Sequence, residues 1–271
     1  IDHVLTSDNL IKFGVAAMDD VASGGTRGEI TAVGGRPGHG KTTIVTNIVH
    51  NVTAPSRKLK VMVFNREMRN AALIEKLVVI NQHFRAKEMR KKQFTEKDIL
   101  KLEDIRESMK PRYKNLIMYD DIRDLDETMR EIKRHKPDVI IDDYIQLITV
   151  AGVSERRFQI ETIMNEYKWI AKSIDCHVIL VSQLSRGIES RVDPIPKGSD
   201  FAEGGTIEQV SEACMFVYRP FLFDHESASK YEANIIATKV RYGDPATYDV
   251  GFNGDKCMFY KTAIEAEAQD G

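Results

Sequence analysis

Residues 34 to 43 read "GGRPGHGKTT", and within them Gly35, Arg36, Pro37, Gly38, His39, Gly40, Lys41 and Thr42 satisfy the pattern GxxxxGK[ST]. The run follows a short apolar stretch, "EITAV" (29 to 33), and precedes a helix-period segment, the strand–loop–helix setting that a phosphate cradle requires. Its glycines let backbone N–H groups converge on phosphate oxygens, and the positive end of the following helix adds to them. Lys41 then reaches the β and γ phosphates, the Thr42 hydroxyl ligates Mg²⁺, and Thr43 completes the nucleotide-binding segment. A chain built on this loop is an α/β nucleotide-binding protein. The same loop serves kinases, transporters, recombinases and helicases, so the remaining residues decide what it drives.

Short β-branched or apolar runs predict strands at 29–33, 60–64, 115–119, 138–142 and 177–182, with helix-period segments at 41–53, 69–83, 95–109, 124–135 and 156–175. Strand alternating with helix means parallel strands joined by crossovers. After Ser182 a long polar loop (183 to 205) leads into runs at 213–218, 232–240, 246–252 and 256–260, the last two separated by Asn253-Gly254-Asp255, a tight hairpin signal. The expected fold is α/β: a mostly parallel central sheet flanked by helices, with antiparallel strands added at the C-terminal side. The basic run "RAKEMRKKQ" (85 to 93) reads as a solvated face between helices.

Composition adds bounds. A chain of 271 residues, 42% hydrophobic and 30% charged, suits one domain over 1–271. A formal charge of −2 gives no global basic field, although a ring or groove concentrates positive charge locally. The three cysteines form no CxxC and the seven histidines show no metal-ligand spacing, which points away from disulfides and zinc and toward a reducing cytosol. No apolar run approaches about 18 residues and no signal peptide is visible, so no membrane partner is expected. The chain opens on Ile1 without a methionine, as a fragment of a longer protein does.

The run "DVIIDDYIQL" offers two carboxylates at the end of a hydrophobic strand, Asp142 and Asp143, of which one faces the nucleotide because side chains alternate along a strand; a solvated strand end is the plain reading of the other. Glu67, just past the strand "KVMVF", lies at the carboxyl edge of the sheet, where a general base for water belongs. Gln183 ends the strand "HVILVS" at that same edge, where an amide can report on a γ-phosphate. It leads into the loop "SRGIESRVDPIPKGSDFAEGGTIEQ", whose Arg186, Arg191 and Lys197 suit a phosphodiester chain; a second loop, "TVAGVSERR", ends in Arg156 and Arg157. Lys239 and Arg241, two apart in a predicted strand, share a face and are not needed by the loop in their own chain; an exposed basic strand is the plain reading, an arginine finger in trans the functional one.

In order, "RGEITAVGGRPGHGKTT", "FNREM", "IIDDYIQL", "RRFQIETIMNEYKWIAKSIDCHVILVSQLSR", "SDFAEGGTIEQVSEACMFVYR" and "TKVRYGDPATYDVGF" resemble the C-terminal RecA-like ATPase domain of the DnaB-type replicative DNA helicases, over almost the whole chain. The resemblance implies a RecA-like fold, marks Glu67 as the catalytic glutamate, and selects Asp143 as the Mg²⁺-side carboxylate. It makes Gln183 the γ-phosphate sensor and Arg241, with Lys239 beside it, the trans-acting finger. It assigns Glu203, Gly204 and Gly205 to a DNA-contacting loop. Departures are Asn65-Arg66 where the family usually carries Ser-Leu, Asp142 at a place normally apolar, and Ala202 where the family often has an arginine. The family's N-terminal primase-interacting domain has no counterpart here.

The reading implied by the resemblance is an ATP- and Mg²⁺-dependent helicase motor that assembles as a ring, a hexamer in the family's manner, around single-stranded DNA in the cytoplasm of a bacterium or phage-infected cell, with primase and a helicase loader as further partners. A RecA/RadA-like recombinase or other RecA-fold ATPase, and a non-catalytic nucleotide-gated module, are the alternatives.

Overall fold

The structure is a computed structural model and describes residues 10–81, 84–191, 193–202 and 205–270. In chain order the strands are β1 (Leu10–Ile11), β2 (Gly25–Thr26), β3 (Ile30–Gly35), β4 (Val61–Asn65), β5 (Leu116–Tyr119), β6 (Val139–Asp143), β7 (His177–Gln183), β8 (Ala213–Tyr218), β9 (Glu232–Val240), β10 (Ala246–Asn253) and β11 (Met258–Tyr260). The helices are α1 (Ala16–Ala22), α2 (Lys41–Val52), α3 (Asn70–Ile80), α4 (Ala86–Lys91), α5 (Glu96–Tyr113), α6 (Leu125–His135), α7 (Arg156–Ser173), α8 (Thr206–Val210) and α9 (Ala263–Glu267).

Nine strands form one sheet in the order β11-β10-β9-β8-β3-β7-β6-β4-β5. From β8 to β5 every neighbour is parallel, and β9, β10 and β11 extend the other side antiparallel. Alternation explains why both faces are covered: Val61 and Val63 of β4 pack with Ile44, Ile48, Leu73 and Leu77 on one face, while Met62 and Phe64 pack with Leu125, Met129, Ile163 and Ile170 on the other. The phosphate-loop strand β3 lies between β7 and β8, so its carboxyl end opens at the middle of the sheet.

The parallel and antiparallel parts follow the expected order, and β8 and β9 match their predicted limits. Three differences have physical causes. The run 85–93 keeps Lys87, Glu88 and Arg90 in solvent as expected, but 86–91 is itself helical, because Met89 supplies a buried anchor. The helix expected over 95–109 continues to Tyr113 through Pro111, at the cost of the one bond that residue 111 would have donated to the Glu107 carbonyl a turn back. Short elements with too few residues to show a period, α1, β1, β2 and α9, have no counterpart in the pattern reading.

Candidate functional site

The turn from β3 into α2 requires left-handed backbone, with φ +81° at Gly38 and +100° at Gly40, where an L side chain is strained. No side chain caps α2. The Lys41 ammonium folds back over the loop, donating to the carbonyls of Gly35 at 2.7 Å and Arg36 at 3.1 Å. Burial lowers its pKa, opposed by the charges of Asp143 and Glu67, which places both carboxylates around it. Thr42 is half-buried and hydrogen-bonds the Asp143 carboxylate, whereas Thr43 is buried on the core side, its carbonyl accepting from the Asn47 amide at 2.9 Å.

Asp143 is almost wholly buried, and its Oδ1 has no hydrogen-bond partner. Burial, reinforced by Glu67, pushes its pKa up to about 7, against the pull of Lys41 and the Thr42 hydroxyl. An orphaned carboxylate oxygen beside a threonine hydroxyl and an exposed second carboxylate, Glu67, is a hard-oxygen donor set that fits Mg²⁺.

Asp142 is not the solvated strand end expected of the second carboxylate. It is fully buried in a bidentate pair with Arg66, with Arg66 Nε donating to Oδ1 and an η nitrogen to Oδ2, both at 2.7 Å. Arg66 also donates to the Ile122 carbonyl at 2.6 Å and the Thr128 hydroxyl at 3.1 Å, and the Tyr167 hydroxyl donates to Asp142. Burial works against the Arg66 charge and the Asp142 carboxylate more than restores it, so its pKa lies above the ordinary value. Sequence reasoning noted both departures without joining them, because strand neighbours 76 residues apart show no sequence spacing.

Gln183 ends β7 directly opposite Gly35. Its N–H donates to the Gln146 side chain at 3.2 Å, the Gln146 amide donates to the Ser182 hydroxyl at 2.7 Å, and the Gln183 side chain meets the Tyr144 hydroxyl. Gln146 and Tyr144 are thus supports that the motif reading missed. The loop after Gln183 is more ordered than expected: it makes short helical turns at Arg186–Ser190 and Gly198–Asp200, and folds back so that Leu184 bridges Phe201 and the Ala202 N–H donates to the Gln183 carbonyl at 3.1 Å. Arg191 holds the loop together by pairing with Asp200 at 2.5 Å. Gly205 precedes α8 with open space around it, while Glu203, Gly204 and the side chain of Arg186 lie outside the described residues. Arg156 is turned inward, donating to the Ile148 carbonyl at 3.0 Å and to Gln159, whereas Arg157 is exposed.

His39 is buried at the loop tip between the rings of Tyr218 and Phe223. Its Nδ1 accepts the Arg219 N–H at 3.0 Å, which puts the ring proton on Nε2, and burial with the charges of Lys41, Arg219 and Arg36 brings its pKa down to about 4. Arg36 pairs with Glu189 of the long loop, and Pro37 is exposed at the tip.

Lys239 and Arg241 lie at the opposite, amino edge of the sheet from Lys41, since β9 runs antiparallel and its end pairs Val240 with Ala213. Lys239 lies in the last residues of β9, and Arg241 follows in the turn just beyond, its N–H still pairing with the Glu212 carbonyl at 2.9 Å. Both side chains hold the segment from Glu208 to Glu212. Lys239 donates to the carbonyls of Glu208 (2.6 Å) and Gln209 (3.0 Å), and Arg241 pairs with Glu212 at 3.1 Å. A cavity of about 670 Å³ lies elsewhere, between Asn47, His50 and Asn51 of α2 and Tyr248, Phe259 and Lys261, away from every one of these groups.

The profile of the family described as "DnaB-like helicase C terminal domain" matches residues 11–261. The chain is 32% identical over 250 residues to the replicative DNA helicase DnaC of Bacillus subtilis (strain 168), an alignment covering 89% of this chain and 54% of that protein. It is 30% identical over 251 residues to the replicative DNA helicase DnaB of Geobacillus stearothermophilus, covering 89% and 54%. The chain therefore spans about half the length of the curated relatives it matches. Among solved structures, the ATPase domain of G40P superposes with a TM-score of 0.82 at 27% identity, covering 96% of this chain and 94% of that one. A DnaB-like replicative helicase, described with its interactions with primase, superposes with the same TM-score of 0.82 at 26% identity, covering 96% and 65%. A KaiC-like protein, PH0186 of Pyrococcus horikoshii OT3, shares the fold alone, with a TM-score of 0.62 at 14% identity.

Proposed function

The chain belongs to the family of DnaB-like helicase C-terminal domains and has its RecA-like ATPase fold, and from that premise we propose that it is the motor of a replicative helicase: a Mg²⁺-dependent ATPase that assembles as a hexameric ring on single-stranded DNA and unwinds duplex in the cytoplasm. The observation that carries the proposal is the division of charged groups between two edges of one sheet. Lys41, Thr42, Asp143, Glu67 and Gln183 converge at the carboxyl edge, and Lys239 and Arg241 stand at the amino edge, beyond reach of their own loop. Such a site is completed only by a second copy.

In this reading the loop from Gly35 to Gly40 wraps the phosphates with backbone N–H groups and Lys41 turns from the loop carbonyls onto the β and γ oxygens. Thr42 and Asp143 would hold Mg²⁺, which supplies charge neutralisation to the phosphates. Glu67 accepts a proton from the water that attacks the γ phosphorus, the β–γ oxygen bond breaks, and ADP and phosphate leave. The neighbour's Arg241, with Lys239 beside it, stabilises charge on the transferring group.

Gln183 connects phosphate state to DNA because its carbonyl holds Ala202, at the entry to Glu203, Gly204 and Gly205. Those residues, with Arg157 and Arg186, contact the DNA backbone without reading sequence; Arg156 and Arg191 shape the two loops from within. Primase and a loader are the further partners proposed, the former by likeness to the helicase described with primase. No helix among the described residues is long and apolar enough to cross a membrane.

The experiment is ATP hydrolysis with and without single-stranded DNA across protein concentration, comparing the native chain with Arg241→Ala. Turnover per protomer rises with concentration and DNA, and falls by about 10³-fold in the variant with nucleotide binding kept. Turnover indifferent to all three overturns the ring-motor reading.

A further inference from the structure

Arg241 carries a long, rotamer-rich side chain, 57% exposed, at the end of a strand. Left to solvent, such a side chain has rotational entropy to lose before it fixes on a phosphate. Here one η nitrogen is held by Glu212, a carboxylate only 9% exposed. Glu212 is itself fixed three ways: its Oε2 accepts the Ile30 N–H at 3.0 Å, its Oε1 accepts the Lys168 ammonium at 2.5 Å, and its backbone pairs with Ile30 (2.9 Å) and Arg241 (2.9 Å). Lys168 comes from α7 and Ile30 from the phosphate-loop strand, so the anchor belongs to the rigid core of the sheet. Lys168 offsets the charge of the carboxylate, so the guanidinium is oriented without being neutralised by it.

We propose that Glu212 is a positioning residue: with Lys168 as its counter-ion, it holds Arg241 in the orientation from which the guanidinium meets the nucleotide of a neighbouring copy. The proposal rests on the trans-acting reading of Arg241 given above. Only one nitrogen of the fork is committed to Glu212, which leaves the rest of its donors for a phosphate. Because Glu212 ends the segment that begins at α8, and Lys239 grips the Glu208 and Gln209 carbonyls of the same segment, the finger is seated on the chain that leads from the DNA-side loop into β8.

The test uses mixing. Glu212→Gln keeps one acceptor oxygen in place of two, so it can serve the Ile30 N–H or the Lys168 ammonium but not both, and it removes the charge that fixes Arg241. It lowers kcat by about 10-fold or more, as small misplacements of a reacting group do, with KM for ATP within about twofold, since nucleotide binds at the other edge. Glu212→Asp, which keeps the charge but withdraws it by one methylene, has the same effect and serves if the glutamine variant melts early.

Adding Lys41→Ala subunits, inactive alone, then raises turnover above that of either protein, because the intact loop of one now faces the well-held Arg241 of the other. Lys41→Ala/Arg241→Ala subunits give no such rise. Native turnover in both Glu212 variants overturns the proposal, as does a loss that mixing fails to relieve. If Arg241→Ala itself turns over like the native chain, the trans-finger reading fails instead, and the two failures are told apart by that variant.

Discussion

Arg66 and Glu67 are adjacent in sequence, as are Asp142 and Asp143, and the two pairs sit side by side at the ends of β4 and β6. Strand alternation sends them to opposite faces. Arg66 and Asp142 go inward, where every strong donor and acceptor between them finds a partner: each other, the Ile122 carbonyl, Thr128 and Tyr167. Glu67 and Asp143 go toward the phosphate loop, where Asp143 keeps an orphaned oxygen and a carboxyl pKa pushed up to about 7 by burial. Buried charge that is fully satisfied marks scaffold; buried charge left incomplete marks a place prepared for something else. The ion pair Arg66–Asp142 and the carboxylate pair Glu67–Asp143, one residue apart, thus differ in purpose because of what each has left over.

The two pairs differ most in their effect on turnover. Lys41→Ala, Asp143→Asn and Glu67→Gln each lower ATP hydrolysis by at least about 10²–10³-fold, while Asp143→Asn and Glu67→Gln retain measurable nucleotide binding. Removing an incomplete charge does not cost the fold: at pH 8 without nucleotide, above the raised pKa of Asp143, Asp143→Asn melts no lower than the native chain, because the ionised form it replaces is the one burial disfavours. A melting temperature lowered by several degrees would place Asp143 in the scaffold after all.

On the scaffold side the expected signature is reversed. Arg66→Leu or Asp142→Val alone strands a buried charge and costs about 3–5 kcal/mol in urea unfolding. Removing the whole set together, as Arg66→Leu/Asp142→Val/Tyr167→Phe, returns stability to within about 1–2 kcal/mol of native, since apolar residues replace a satisfied ion pair at little cost, and turnover stays within a few-fold. If the triple variant instead lost as much turnover as Asp143→Asn, the division between the two pairs would collapse.

That division was only half legible in the sequence. Lys41, Thr42 and the two edge groups Glu67 and Gln183 were legible because a phosphate loop constrains a contiguous run and the edge of a parallel sheet follows from strand ends. The choice between Asp142 and Asp143 was not, until the family register supplied it; the decisive fact, Arg66 opposite Asp142, is a contact across strands. Arg241 was visible as a spare cation, but its anchor was hidden, since Glu212, Lys168 and Ile30 meet only in the folded sheet. The internal contacts of the loop cations were hidden for the same reason: Arg156 meets the Ile148 carbonyl and Arg191 meets Asp200 only in the folded chain.

A third kind of buried ionisable group differs from both pairs because burial keeps it neutral, with one ring nitrogen bonded and the other, Nε2, without a hydrogen-bond partner. His177 starts β7 fully enclosed, its Nδ1–H donating to the Thr26 carbonyl at 2.8 Å and its ring resting against Phe13 and the bare backbone of Gly25. Burial brings its pKa down to about 4 in spite of that carbonyl and of Glu212. Unfolded, the ring titrates near 6.5, so between about pH 6.5 and 4 the unfolded chain binds the extra proton. The stability it contributes is therefore complete above about 6.5 and is lost as pH falls toward 4, by up to about 3 kcal/mol for this one group. Urea unfolding of the native chain and of His177→Gln at pH 7.5 and pH 5 checks the sign: the variant starts lower and loses less, while its turnover at pH 7.5 stays within about twofold. An equal loss in both would mean that the proton enters elsewhere, at His39 or His50, whose pKa values are also brought down to about 4. The acid sensitivity of the fold would then lie at the phosphate loop or against Tyr113 rather than under the first turn of the sheet.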